Sequence, residues 1–174
     1  QRVWRHIFNS RAYECCAWTI KFDADAVFMP QRLRMYLALF PAETPLYGNN
    51  AGCTPDRQFK IPGVGGYTAC RSMHGGMEAV SRSAVELYAA NANACEKADS
   101  SKIGEDWYLT LCLKSLNVSQ ADMQLLLRDD SGQKGALCEG CWVAYHNYKT
   151  PEDWTACYKS ARTWRDVPHY TTDG

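Results

Sequence analysis

Apolar and polar residues alternate over Trp18–Phe22, and this alternation predicts a β-strand with one buried face. Two carboxylates, Asp23 and Asp25, follow the strand directly. Because ligands of open α/β sheets bind beyond the carboxyl ends of strands, this acidic pair is a candidate site for a divalent cation. An Asp-x-Asp pair is also common in solvated turns, so the pair alone does not establish a metal site.

Three further stretches carry apolar residues at the three- and four-residue spacing of an amphipathic α-helix. Pro30 opens the first helix, Gly104 precedes the second and Thr150 precedes the third. A capping box of Ser83 and Glu86 predicts another helix over residues 84–93. The expected buried faces are Leu33, Tyr36, Leu37 and Phe40, then Leu109, Cys112, Leu113 and Leu116, and finally Trp154, Cys157, Tyr158 and Ala161.

Short apolar runs predict strands near residue 77, over 123–127 and over 143–146, so helices and strands alternate along most of the chain. Residues 40–73 differ, because proline, glycine and asparagine interrupt them densely. A connection of that length is either a binding loop or a disordered insertion, and both alternatives stay open. We therefore expect an α/β fold in a single domain over residues 1–174, with a surface tail over 163–174.

The 19 basic and 19 acidic residues give the chain no net charge, so we expect no nucleic-acid partner. Nine cysteines and the acceptor triplet at Asn117 favour an oxidising, secretory compartment. We expect at least three disulfides, one of them within residues 138–157, and Cys53 and Cys70 are candidates to staple the long connection. Because nine is an odd number, one cysteine is a free thiol, or its partner lies in a missing segment or in another chain.

A zinc site is the alternative use of the late cysteines. Cys138, Cys141 and His146 begin like a zinc knuckle, but the position of the fourth ligand is occupied by Pro151. Disulfides account for these cysteines more economically, and structural zinc remains the less favoured hypothesis.

Glu105 and Asp106 open a predicted helix, where acidic residues stabilise the first turn without any other function. Considered alone, the pair is better explained by this stabilisation of the helix start than by a catalytic role. Gly75 and Gly76 lie earlier in the chain and allow either a close approach to a ligand or an ordinary turn.

In chain order, four motifs resemble the fringe-like and T-synthase-like β1,3-glycosyltransferases of the GT-A fold. The resemblance extends over residues 18–146. The motifs are the strand and Asp-x-Asp pair over 17–28, the segment GGMEAVSR over 75–82, the segment GEDWYLTLCLKSLNV over 104–118, and VAYH over 143–146.

The resemblance implies a mixed sheet with flanking helices and an inverting transfer of sugar from a nucleotide-sugar donor, expected to be a uridine diphosphate sugar, to a glycan or glycoprotein hydroxyl. It implies the Golgi lumen, or secretion, and Mn²⁺ or Mg²⁺ as cofactor. It implies that Asp23, Asp25 and His146 are metal ligands. Asp106 would be the catalytic base, and Glu105 would orient Asp106 or the acceptor. The substrate-binding residues it implies are Gly75, Gly76, Trp107 and Lys149.

The chain departs from the family's pattern at its start, because almost no sequence precedes Trp18 where the family has its nucleotide-binding half. We therefore expect that half to lie in a longer precursor or in a partner chain. The alternative function is a non-catalytic, disulfide-stapled domain that serves as a structural or interaction component of an assembly. Convergence of Asp23, Asp25 and His146 on one point would favour the enzyme.

Overall fold

The computed structural model describes residues 2–51, 58–61, 65–68, 72–95, 103–129 and 138–164. The helices are α1 (Arg2–Ser10), α2 (Pro30–Leu37), α3 (Arg82–Ala90), α4 (Ala92–Cys95), α5 (Glu105–Ser115) and α6 (Pro151–Thr163). The strands are β1 (Trp18–Phe22), β2 (Val27–Phe28), β3 (Leu46–Asn49), β4 (Gln58–Ile61), β5 (Gly65–Thr68), β6 (Met77–Ser81), β7 (Ser119–Asp122), β8 (Leu127–Asp129) and β9 (Ala144–His146).

The chain has a mixed α/β architecture and divides into two compact units. Unit 1 consists of Gln1–Phe22 and Pro41–Gln124, and unit 2 of Asp23–Phe40 and Leu125–Gly174. Among the described residues, none of the helices combines the length and the apolar character that crossing a membrane requires.

Unit 1 is built on a four-stranded mixed sheet in the order β1-β6-β3-β7. Strand β6 pairs antiparallel with β1 and with β3, whereas β3 pairs parallel with β7. All five residues of β6 are buried, and Val80 packs with residues of α3 and α5 in a core that includes Trp4, Tyr47 and Leu113. A disulfide between Cys95 and Cys112 ties α4 to α5. Strands β4 and β5 form a separate antiparallel pair.

Unit 2 contains a three-stranded sheet in the order β2-β9-β8, with β2 antiparallel and β8 parallel to β9. A disulfide between Cys138 and Cys157 closes its core against α6, as the sequence predicted for residues 138–157. The Arg32 guanidinium on α2 donates to Tyr145 Oη and to four backbone carbonyls, those of Gly140, Trp142, Ala161 and Trp164. These bonds hold β9 in place, and β9 carries His146.

The strongest sequence patterns are confirmed. Strand β1 has the predicted bounds, and helices α2, α5 and α6 begin where their capping signals place them. Most predicted helix-face residues are buried or partly buried, although Phe40 and Leu116 lie just beyond the ends of their helices. Cys53 and Cys70, and the tail from residue 165 onward, fall outside the described residues.

The prediction that one face of β1 is buried is wrong. Trp18 and Ile20 are only partly buried and Phe22 is 46% exposed. The reason is topological, since β1 lies at the edge of its sheet and pairs only with β6 there.

Other boundaries also differ from the sequence prediction. The N-cap of α3 is Ser81 rather than Ser83, because the Ser81 hydroxyl accepts the Ala84 N–H and donates to the Thr44 carbonyl. The strand predicted over 123–127 is mostly a 3₁₀ turn at Gln124–Leu126. Strand pairing instead occurs on either side of it, in β7 and β8.

Candidate metal centre and acidic site

Asp23 and Asp25 lie in the turn that leads into β2, where the Ala26 N–H donates to the Asp23 carbonyl at 3.0 Å. Strand β2 pairs with β9, opposing Val27 to Tyr145, so the turn lies beside the end of β9. The Tyr148 N–H donates to the Asp25 carbonyl at 2.8 Å and fixes the turn from the other side. The acidic turn is thus positioned by strand pairing within unit 2.

This pairing brings the three predicted metal ligands together. Asp23, Asp25 and His146 each offer one ligand atom, and these atoms lie within 4.8 Å of one another. His146 Nε2 is 3.4 Å from Asp25 Oδ1, and both side chains are largely buried. Two carboxylates and an imidazole at this separation fit a divalent cation, and the mixture of oxygen and nitrogen ligands suits Mn²⁺.

Asp129, which is not among the predicted site residues, supports the histidine. Strands β8 and β9 are parallel and oppose Asp129 to His146 at their carboxyl ends. Asp129 Oδ1 lies 3.1 Å from His146 Nδ1, and the carboxylate accepts a hydrogen bond from this nitrogen when Nδ1 carries a proton. In the neutral ring with its proton on Nδ1, Nε2 presents its lone pair toward the ligand group, the carboxylate–histidine arrangement that orients many metal-binding imidazoles.

Lys149, predicted to bind a diphosphate, forms an ion pair with Asp25 through Oδ2. Burial raises the pKa of the Asp25 carboxyl, but the hydrogen bond from Lys149 and the charges of His146 and Lys149 outweigh it and leave the pKa below its usual value. Asp25 is therefore ionised at neutral pH, which is the state that cation binding requires.

A cavity of about 440 Å³ adjoins this group within unit 2. Asp25 and Lys149 contribute its charged residues, and the indole of Trp154 supplies an aromatic wall. That indole is fixed by a hydrogen bond from Nε1 to the Ala26 carbonyl at 3.1 Å and by stacking on Tyr158. The cavity therefore combines charged groups with a rigid aromatic surface, a composition common in ligand-binding sites.

A second group of predicted residues lies within unit 1, at the start of α5. Asp106 Oδ2 accepts the Gly75 N–H at 3.0 Å, and Oδ1 accepts the Trp107 N–H at 2.8 Å. A Cβ on Gly104 would lie 2.6 Å from Asp106 Oδ1, so a larger residue there would force the carboxylate to shift from this position. The sequence pattern indicated Gly104 only as the residue before the helix, and this second role was missed.

Lys21 and Glu78 extend this acidic group toward the core. Lys21 Nζ is 3.0 Å from the Gly75 carbonyl, 3.3 Å from Glu78 Oε1 and 3.6 Å from Glu105 Oε2. The Glu78 side chain is fully buried and accepts a 2.6 Å hydrogen bond from Trp4 Nε1. Burial raises the pKa of Glu78 to about 7, with Lys21 and Trp4 opposing the shift and Glu105 adding to it. No sequence signal marked Glu78 as more than a strand residue.

The disulfide between Cys138 and Cys157 removes the Cys138 thiolate that a zinc knuckle would need, so the zinc alternative is wrong. Gly76, the remaining predicted substrate-binding residue, donates its N–H to His74 Nδ1 at 3.0 Å within a turn of unit 1. The predicted residues thus form two groups, with Asp23, Asp25, His146 and Lys149 in unit 2 and Gly75, Gly76, Glu105, Asp106 and Trp107 in unit 1. Neither a comparison with protein-family models nor one with curated proteins finds a match to this sequence.

Proposed function

We propose that this chain is a metal-dependent glycosyltransferase of the GT-A type that transfers a sugar from a nucleotide-sugar donor to a hydroxyl of a glycan or glycoprotein. The observation that carries the proposal is the convergence of Asp23, Asp25 and His146 within 4.8 Å. A turn and a strand end that are remote in sequence have no structural need to present two carboxylates and an imidazole to the same point. A cation bridging the protein and a diphosphate uses these ligand types.

In this function Asp25 and His146 bind Mn²⁺ or Mg²⁺, and Asp23 lies beside them to bind it directly or through water. The cation supplies Lewis-acid stabilisation of the negative charge on the departing nucleoside diphosphate. Asp129 holds the His146 ring so that Nε2 stays directed at the ligand group. Lys149, on the wall of the adjoining cavity, contributes a positive charge for the same diphosphate.

Asp106 serves as the general base and accepts the proton of the acceptor hydroxyl as that oxygen attacks the anomeric carbon. Attack from the face opposite the diphosphate inverts the configuration, and the diphosphate leaves. Each carboxylate oxygen has two lone pairs, so Asp106 can hold its two backbone N–H groups and still accept this proton. Glu105 orients the acceptor, and Gly75, Gly76 and Trp107 line its path.

The compartment proposed is the Golgi lumen or the extracellular space, and the fold proposed is the GT-A mixed sheet. Two disulfides among the described residues support an oxidising environment. Asn117 of the acceptor triplet is exposed at the end of α5, where an enzyme of the secretory pathway could glycosylate it.

The test is a Mn²⁺ titration followed by electron paramagnetic resonance, then a transfer assay with a panel of uridine diphosphate sugars. We expect one Mn²⁺ site in the parent chain, lost in Asp25→Asn and in His146→Gln and retained in the exposed control Glu152→Gln. Sugar transfer should follow the same ranking of variants. A parent chain that binds no Mn²⁺ would refute the proposal.

The non-catalytic alternative is favoured by one observation, the use of both Asp106 oxygens as acceptors for backbone N–H groups. Such bonding is typical of a purely structural residue in the first turn of a helix such as α5. The two functions differ in how metal binding affects the nucleotide sugar. A scaffold domain has no reason to bind a nucleotide sugar more tightly when Mn²⁺ is present, whereas the enzyme does.

A further inference from the structure

Lys149 and His146 contact the same carboxylate from opposite sides. Lys149 Nζ forms an ion pair with Asp25 Oδ2, and His146 Nε2 lies 3.4 Å from Asp25 Oδ1. The Lys149 side chain is 69% exposed, whereas that of Asp25 is only 17% exposed. The carboxylate is therefore fixed in the structure, while the ammonium reaches it from solvent on a long, flexible stem.

When an ammonium and a divalent cation bind the same carboxylate, each weakens the binding of the other. A cation of the Mg²⁺ or Mn²⁺ type binds a carboxylate oxygen at about 2.1 Å, and an ammonium on the partner oxygen would lie within a few ångströms of it. At that separation the two positive charges repel each other strongly in a largely buried site. Binding of the cation therefore favours departure of Lys149 from Asp25.

The cavity of about 440 Å³ offers the Lys149 ammonium a second position, because Lys149 lines this cavity together with Asp25. Apart from Asp25 itself, the described residues that line this cavity carry no carboxylate that would compete for a displaced ammonium. A diphosphate held by the cation would place its negative oxygens next to this ammonium. The flexible four-carbon stem of Lys149, which is largely exposed, allows its ammonium to change position.

We infer that Lys149 exchanges partners, from the carboxylate of Asp25 to a diphosphate, when a divalent cation binds. The inference rests on the proposed function for the identity of the diphosphate, and it goes beyond that function in coupling the two binding events. Because coupling between two ligands is reciprocal, the diphosphate also raises the affinity for the cation. Lys149 thus disfavours the cation alone and favours the cation together with its diphosphate.

This exchange predicts effects of opposite sign for one substitution. Lys149→Met keeps the length of the side chain and removes its charge, and Lys159→Met on α6 is the matched control at an exposed lysine. Mn²⁺ binding is measured by electron paramagnetic resonance, and binding of the Mn²⁺–pyrophosphate complex by calorimetry. We expect Lys149→Met to bind Mn²⁺ about two- to fivefold more tightly, as loss of a partly exposed competing ion pair implies. We expect it to bind the pyrophosphate complex about tenfold more weakly, through loss of a charge-assisted hydrogen bond.

Other results of the Lys149→Met measurements would contradict the exchange of partners. A residue that only bound phosphate would leave the affinity for Mn²⁺ alone unchanged, and a purely structural one would weaken both ligands, so either result overturns the exchange. Tighter Mn²⁺ binding with unchanged pyrophosphate binding also overturns it. If the parent binds Mn²⁺ and Asp25→Asn does not, the metal centre stands whatever Lys149→Met shows. If the parent binds no Mn²⁺, the proposed function and the exchange both fail.

Discussion

Asp129 and His146 end two neighbouring parallel strands, and the Asp129 carboxylate accepts a hydrogen bond from His146 Nδ1 at 3.1 Å. The contact orients the imidazole, and in the neutral ring a proton on Nδ1 leaves the lone pair on Nε2. The contact therefore holds the histidine beside Asp25, and in the proposed metal site Asp129 would orient a ligand without binding the cation itself.

The first prediction concerns this contact. Asp129→Ala removes the acceptor, so the His146 ring can rotate and change tautomer, and we expect Mn²⁺ affinity to fall by about 10- to 100-fold. Asp122→Ala at the end of β7 is the control, because it removes an exposed strand-end carboxylate in the other unit. Equal Mn²⁺ affinity in the two variants would show that Asp129 does not orient the histidine.

The sequence could predict the three residues of the candidate metal site but not Asp129. The acidic turn follows an alternating strand, and His146 ends a second apolar strand, so each was recognisable by its position in a local pattern. Asp129 acquires its role only from the register between β8 and β9, which is a long-range pairing that no local pattern encodes. Residues 127–129 are also too few to show a clear period.

Strand β3 was missed for a related reason. Two of its four residues are Gly48 and Asn49, which are uncommon in strands, and they lie in a segment rich in proline and glycine. All four residues are nevertheless buried, because β3 lies between β6 and β7 and is hydrogen-bonded on both edges. Strand pairing in the folded protein here overrides the low strand propensity of the sequence. In β1, α5 and α6, by contrast, the secondary structure that the local sequence favours is the one that forms.

The second prediction concerns the room around Asp106. Gly104→Ala places a Cβ 2.6 Å from Asp106 Oδ1 and must displace the carboxylate from the Trp107 N–H. We expect a loss of about 1–3 kcal/mol in the free energy of unfolding, measured by urea denaturation. Gly75→Ala is the matched control, because its Cβ would meet Asp106 Oδ2 at 3.5 Å, an ordinary contact. Similar losses in both variants would contradict the steric argument.

The third prediction separates a base from a helix residue at Asp106. Asp106→Asn has one oxygen where the parent uses two, so one of the two backbone N–H groups loses its acceptor, at a cost of about 0.5–2 kcal/mol in stability. Loss of a general base costs a further factor of about 10²–10⁴ in transfer rate. The control is Asp153→Asn in the first turn of α6, which keeps an oxygen acceptor for Thr150 Oγ1 and should leave the rate unchanged. Parental transfer by Asp106→Asn would make Asp106 a structural residue only.

The fourth prediction concerns the disulfide of unit 2. Peptide mapping of the unreduced protein should recover Cys138 linked to Cys157. Replacing both residues by alanine should lower the free energy of unfolding by about 2–4 kcal/mol, since the closed loop is short but the bond is buried. Replacing the exposed pair Cys15 and Cys16 by alanine is the control and should change stability little. Recovery of Cys138 as an alkylated thiol would contradict the assignment.

The last prediction concerns Glu78, whose pKa is raised to about 7 by burial against the partial compensation of Lys21 and Trp4. In the unfolded chain the same carboxyl titrates near 4.5. Between these two values the folded protein binds more protons at this site than the unfolded chain does. Its contribution to stability is therefore fully present below pH 4.5 and is lost as the pH rises through about 7.

Glu78→Gln removes this titration while keeping an acceptor for Trp4 Nε1. The stability of the parent minus that of Glu78→Gln should fall between pH 4.5 and 7 by at most about 3 kcal/mol, and then remain level. Urea denaturation at a series of pH values measures this difference. The control is Glu86→Gln, an exposed carboxyl on α3, whose difference curve should be nearly flat over the same range. A Glu78 difference that stayed flat or rose with pH would mean that Lys21 keeps Glu78 ionised, so that the buried pair carries charge at neutral pH beneath Gly75 and Glu105.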